Sequence, residues 1–419
     1  MKRIMMMMTL VMMASTAWAQ VSLDVVWTDL SFGGGSTNEG QSVAFNRNRV
    51  IAGEVLGNAS GGTSVHVKGY NANTGNLVWE DVMDGFAVRV DAAGNDAFAV
   101  IMGSDLVIRR YNRRTGDLEW STPIPTIAIR AFGVRGNRVL LTGYSGGPFG
   151  INGVLFVLDR ETGNLLRTTL LEGPQMLPIT NSIFWDFDRT GTDLVVVGTQ
   201  ERIGVPTLVL QDYRVSDGQL KWETIEPNSA ARSVQLANGL VYVSNGGMAA
   251  YSLMNGASVW KTANVATDFP IFTVSGAALF LSSRVDVVQG NYALERRNPF
   301  TGALIWHTPI PAIAMRDQTI GGIGLVHGYI VLVGSTQPSV IFPGGNEQLI
   351  VRVFDEHGNL LLTDKSDQAP QARFDDHAIE GNRIVGVGTL SGPLGGAFVR
   401  MYQLLVGQLS LGPTTGIQP

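Results

Sequence analysis

Arg89, Arg130, Asp186, Arg232, Asp268, Asp317 and Asp376 each fall near the first strand of a repeating pattern, most of them at its start. His377 follows directly, so that Asp375-Asp376-His377 is the best candidate for ion or substrate contact. If the repeats surround an axis, these positions ring one mouth of a central channel. A ring of mixed charge can grip a peptide or a small polar ligand. The same charges can instead solvate the mouth and pair with one another.

Other chemistry finds little support. Gly143-Tyr144-Ser145-Gly146-Gly147 spells Gly-x-Ser-x-Gly, but it opens a loop between two strands with no helix to follow, unlike a nucleophile elbow. Gly33-Gly34-Gly35 lacks the Lys and the strand-to-helix setting of a phosphate loop. His66, His307, His327, His357 and His377 are not spaced as metal ligands. We expect no catalytic set, no metal and no cofactor.

A second candidate site is apolar. The loops between second and third strands vary most and share a face with the connections between repeats. They carry Phe149, Ile151, Ile203, Val205, Val287, Val288, Val340, Ile341 and Phe342. Loops on a rigid scaffold are where recognition is usually found, and apolar tips suit a protein surface. The alternative is that the tips pack on one another.

The elements that must position these residues repeat. Tyr70 to Glu80 is an apolar run, a polar turn closing on Thr74-Gly75, and a short strand carrying Trp79. Related phrases close on Gly116, Gly163, Gly218, Gly256, Gly302 and Gly358, at steps of 41, 47, 55, 38, 46 and 56 residues. Such a period means stacked supersecondary units. Gly takes the positive φ of a short hairpin, and the indole four residues later fills the gap between sheets. Two further strands precede each phrase, completing a four-stranded antiparallel unit. One such sheet cannot bury both faces, so radial packing into a β-propeller is expected.

Seven units are complete. An eighth, around the turn Glu380-Gly381-Asn382-Arg383, has three strands ending with Ala397 to Leu405. The strand Val25-Val26-Trp27-Thr28-Asp29 has no partner before it. We expect it to supply the missing outer strand, giving an all-β, eight-bladed propeller closed by its N-terminal strand and leaving no exposed edge.

The repeat resembles the tryptophan-docking motif Ala-x-Asp-x-x-Thr-Gly-x-x-x-Trp of the quinoprotein-like propellers, across essentially residues 20–410. That family includes pyrroloquinoline quinone dehydrogenases and the outer-membrane assembly propeller of Gram-negative bacteria. The motif's Thr-Gly-x-x-x-Trp is intact at Thr74, Thr115 and Thr301, and its Gly-x-x-x-Trp also at Gly218 and Gly256. Its Asp stands at Asp159 and is Asn at Asn71, Asn112 and Asn298. Arg167 and Leu362 stand where Trp is expected. The resemblance implies a structural docking role for Trp27, Trp79, Trp120, Trp222, Trp260 and Trp306. It does not carry over the quinone chemistry: those enzymes are longer, typically use a vicinal Cys pair, and hold Ca²⁺ with carboxylate and amide ligands. This chain has no Cys and no dense acidic cage.

Lys2 and Arg3 precede an apolar run, and Ala17-Trp18-Ala19 is a small-x-small cleavage site, so residues 1–19 read as a secretory signal. Residues 20–410 read as one propeller domain and 411–419 as a disordered tail. No later stretch is apolar and long enough to span a membrane. Of 419 residues, 51 are Gly and only 16% are charged, as many short strands and tight turns require. A net charge of −5 argues against nucleic acid as partner. The expectation is an exported, monomeric, non-catalytic binding or scaffold protein, periplasmic or extracellular, with a protein partner. The alternatives are a short quinone-dependent dehydrogenase and a carbohydrate or polymer binder.

Overall fold

The computed structural model describes residues 21–34, 37–147, 150–171, 180–202, 205–262, 270–286, 291–310, 316–338, 348–366, 372–390 and 395–406. The expected signal and tail therefore lie outside the described residues. Among the described residues, no helix is long and apolar enough to cross a membrane.

Every described element is a strand. Blade 1 shows the plan: an inner strand Asn38–Asn46, then Arg49–Gly57, Thr63–Asn71 and an outer strand Leu77–Asp84, paired antiparallel in that order. The inner strands of blades 2 to 8 are Ala87–Ala93, Ala128–Arg135, Thr180–Thr190, Ser233–Ala237, Ile271–Ser275, Arg316–Val326 and Ala372–Glu380. Each inner strand lies against the next, and that of blade 8 lies against that of blade 1, so the ring is closed. Blades 3 and 4 are also joined by a short parallel bridge, Gly150 with Thr180 and Ile151 with Asn181.

The core lies between blades. Val65, Val67 and Ile51 of blade 1 pack on Val88, Ala97 and Ile101 of blade 2. Across the closing junction, Val43, Val50 and Tyr70 meet Val385, Val399 and Met401. The second strand of each blade is thereby buried on both faces, which one sheet alone cannot achieve, while the outer strands keep exposed residues such as Leu77 and Leu118.

The Thr-Gly turns are built locally. Asn71 Oδ1 accepts from the amides of Asn73 and Thr74, and Asn112, Asp159 and Asn298 act alike in their turns. The chain then reverses at Gly75 with φ +73°, a region that favours glycine.

Six of the indoles each seat on the next blade's turn glycine. Trp79 covers Gly116 and donates Nε1–H to the carbonyl of Arg113 at 2.9 Å. Trp120 reaches Arg160, Trp222 reaches Leu253, Trp260 reaches Pro299 and Trp306 reaches Glu356, at 2.8–3.0 Å. Trp27 does the same across the seam, to Ala72 at 2.9 Å. Where the motif departs, there is a reason for one case. Leu362 of blade 7 faces blade 8, whose outer strand comes from the other end of the chain, so among the described residues no Thr-Gly turn joins its third and outer strands to receive an indole. Leu362 packs instead against the buried cluster that includes Tyr402 and Leu404, as Leu23 of the closing strand does.

Blade 8 is completed by Val21–Ser31, antiparallel to Gly396–Val406, with Trp27 opposite Met401. The same strand is tied to blade 1. Asp29 accepts from the Tyr70 hydroxyl at 2.7 Å, and the buried Lys68 ammonium donates to Ser31 Oγ at 2.6 Å and to the buried Glu54 carboxylate at 2.9 Å.

Candidate functional site

Two sites expected from the sequence share one face of the ring. Each inner strand starts there, and antiparallel pairing returns the second-to-third-strand loops to it. At the start of several inner strands the register slips by one residue. The extra residue is Gln41, Arg130, Trp185, Gly321 or Asp375 in blades 1, 3, 4, 7 and 8. A bulge leaves its residue unpaired and re-aims the side chain.

Two of these bulges, with Arg232 just before the inner strand of blade 5, form a stack. The Arg130 guanidinium lies 4.6 Å from the centre of the Trp185 ring, and the Arg232 guanidinium 5.3 Å from the same ring. Arg130 also lies 5.0 Å from the Tyr144 ring. Trp185 Nε1–H donates to Thr199 Oγ1 at 3.1 Å, fixing the ring. Both arginines are exposed and the indole is half-buried. Each cation–π contact contributes about 0.5–1 kcal/mol at such sites and holds a guanidinium in place. Beside the stack is a cavity of about 390 Å³ lined by Arg89, Ala128, Ile129, Glu39 and Asp375 among others. Arg89, also exposed, donates to the carbonyl of Gln41 at 2.7 Å. The mouth thus has a basic, aromatic arc over blades 2 to 5 and an acidic spot at Asp375 and Glu39. Guanidinium forks beside an aromatic plane suit a carboxylate carried next to an apolar group.

Two of the expected mouth residues do something else. Asp186 accepts from the amide of Val234 in blade 5 at 3.0 Å and from that of Phe187 at 2.8 Å. Asp376 accepts from Val43 N and Ser42 Oγ of blade 1, both at 3.0 Å, and from His377 N at 2.8 Å. In each case both carboxylate oxygens are taken by the protein, so these groups staple blades rather than face a ligand. Asp188 bonds Leu236 N, Asp91 bonds Val134 N, Gln235 bonds Val274 N and Ser42 bonds Val90 N in the same manner. Burial raises the Asp186 carboxyl to about 7, against its two amide donors.

His377 packs against Gly322 of blade 7, where a Cβ would overlap its ring. Burial holds its pKa below the ordinary histidine value, against the pull of Asp376. Asp268 lies outside the described residues, and Asp317 is on the inner strand of blade 7 with its side chain outside them. Ile151 is not a loop tip: it forms the bridge to Asn181 that joins blades 3 and 4. Val205 starts a strand of blade 4, opposite Arg202, and is exposed. Phe149, Ile203, Val287, Val288, Val340, Ile341 and Phe342 lie outside the described residues.

Trp185 is the residue that spacing arguments missed. Its signal was present: beyond residue 20, only Trp27 and Trp185 lack a glycine four positions before. Trp27 closes the ring, which leaves Trp185 as the indole outside the docking pattern. Among the described residues no group of three or more His, Cys, Asp or Glu side chains is placed to hold a metal ion.

The computationally designed Ika8 protein has the same architecture, with TM-score 0.61 at 15% identity over 90% of this chain and 100% of the other. BamB from Moraxella catarrhalis gives TM-score 0.57 at 14% identity over 91% and 98%. The quinohemoprotein alcohol dehydrogenase ADHIIG from Pseudomonas putida HK5 gives 0.61 at 11% over 92% and 77%. At these identities the likeness concerns the fold. No curated protein matches the sequence. The family model for the outer membrane protein assembly factor BamB matches residues 63–224 and again 190–379. With most of its blades inside those matches, and with the turn glycines and docked indoles that build them, the chain belongs to the BamB family of PQQ-like repeat propellers.

Proposed function

We propose that this chain is an exported, non-catalytic scaffold of the cell envelope that holds a protein partner on the face carrying the inner-strand starts. The observation that carries the reading is the exposed Arg130–Trp185–Arg232 stack at that mouth. Three blades contribute one residue each, so the arrangement depends on the assembled ring and not on one loop. The partner segment it suits is extended and bears a carboxylate beside an aromatic or aliphatic side chain. Membership in a family described as an outer membrane assembly factor supports a partner of the envelope.

The test is recovery of partners from envelope extract on the immobilised chain, beside the double variant Arg130→Glu with Arg232→Glu. Both positions are exposed, so the variant should fold as the parent does. A protein recovered by the parent and lost by the variant is the expected result. Identical recovery by both, or nothing specific by the parent, would overturn the reading.

A further inference from the structure

At seven junctions, the turn glycine of one blade is covered by a side chain from the outer strand of the blade before. Six of the seven covers are indoles. The seventh is Arg167 of blade 3, which lies on Gly218 of blade 4. There the carbonyl of Val215 holds the place that Ala72, Arg113, Arg160, Leu253, Pro299 and Glu356 hold elsewhere, and no indole N–H reaches it. A cleft of about 370 Å³ opens beside it. Leu155, Val157 and Leu194 form an apolar wall, and the Tyr213 ring lies 4.9 Å from the Arg167 guanidinium.

The charges in this cleft are not balanced. Arg138 pairs with Asp159 at 3.2 Å and Arg214 with Asp217 at 2.9 Å. Arg167 donates Nε–H to Thr169 Oγ1 at 2.8 Å, and no carboxylate of the described residues pairs with it. A half-buried guanidinium without a counter-ion, against an apolar wall, favours an anion with an apolar body. The Val215 carbonyl adds an acceptor for an N–H of the same ligand.

We propose that the cleft between blades 3 and 4 binds a carboxylate carried on an apolar group, with Arg167 as the anion-binding residue. Such a ligand is either a free small acid or the C-terminal residue of a peptide. The site lies on the turn side of the ring, away from the Arg130–Trp185–Arg232 mouth, and stands independently of the function proposed there.

N-acetyl-phenylalanine supplies the carboxylate, the ring and an amide N–H in one probe. Titrated into the full chain by calorimetry, it should bind, and its carboxamide should bind at least about tenfold more weakly, since the charge-assisted bonds are lost. Arg167→Gln keeps a polar side chain with an N–H₂ donor, removes the charge and the guanidinium fork, and should show the same loss. Arg167→Trp should abolish binding without lowering the thermal midpoint. A pentapeptide ending in Phe with a free carboxylate distinguishes the sources: tighter binding than the small acid assigns a peptide terminus, and equal binding assigns the small acid. Equal affinity for acid and carboxamide, unchanged binding in both variants, or no binding up to about 10 mM would overturn the proposal.

Discussion

Trp27 donates its indole N–H to the carbonyl of Ala72 at 2.9 Å, and its ring stacks on Tyr70 with centroids 5.7 Å apart. The two residues belong to different blades and are joined by no turn. The contact has the form of those at the other indole junctions, so the closing strand is held by the same device that holds consecutive blades. Strand pairing to Gly396–Val406 supplies one half of the closure and the docked indole supplies the other.

Trp27→Ala should therefore loosen the seam. Truncating a buried Trp costs about 3–5 kcal/mol, and Trp27 is half-buried, so roughly 2–3 kcal/mol is expected. Trp27→Phe keeps the ring and removes the donor, and should cost about 1 kcal/mol. Denaturant midpoints give both values, and limited proteolysis should cut the closing strand first in the alanine variant. A midpoint unchanged by Trp27→Ala would mean that strand pairing alone holds the ring.

Arg167→Trp restores the docking indole at the one Thr-Gly-type junction that lacks it. Tyr213 stands where Tyr70 and Tyr111 stand beneath Trp27 and Trp79, so the new ring has a stacking partner. It also brings a donor to the Val215 carbonyl and fills part of the cleft. The variant should gain about 1–2 kcal/mol, read as a higher thermal midpoint. A loss of stability would show that Arg167 is needed by the blades and not only by a ligand.

Much of this architecture is legible from spacing. A glycine every few tens of residues with an indole four positions on implies turns, hairpins and docking, because each residue type has one job set by local geometry. Trp27 is legible for the complementary reason: it is a docking strand without a turn. The inner strands are different. Asp186 and Asp376 look like mouth ligands because their sequence neighbours place them at strand starts, but their partners, Val234 and Val43, lie 48 and 333 residues away. The bulges that align Arg130 with Trp185 are set by pairing register, which no local pattern reports. Ile151 reads as a loop tip until the bridge to blade 4 is formed.

The Asp186 staple makes stability depend on pH. Its carboxyl is raised to about 7 by burial, whereas an unfolded Asp titrates near about 3.9. Between those values the folded chain keeps a proton that the unfolded chain has released. The contribution is therefore full below about pH 4 and is lost as pH rises through about 7. Asp212, raised by burial to about 6, acts in the same direction. Asp186→Asn cannot titrate, and it places an amide N–H₂ where one of the two backbone donors must be accepted. Its midpoint should lie below that of the parent at pH 5, with a gap that narrows by pH 8. A gap that stays constant or widens would refute the raised carboxyl.

Gly322 and His377 give a test of the inner ring between blades 7 and 8. A Cβ on Gly322 would overlap the imidazole, a rigid ring with no free end to swing aside. At Gly324, two residues on, the overlap is with the terminal methyl of Ile379, which can rotate. Gly322→Ala should thus cost roughly 1–3 kcal/mol, as overpacking does, and Gly324→Ala less. Adding His377→Ala to Gly322→Ala removes the overlapping ring, so the double variant should be more stable than the sum of the single losses. The coupling read from such a cycle measures the contact itself. If the two losses simply add, His377 does not press on Gly322, and its depressed pKa must come from burial against other neighbours.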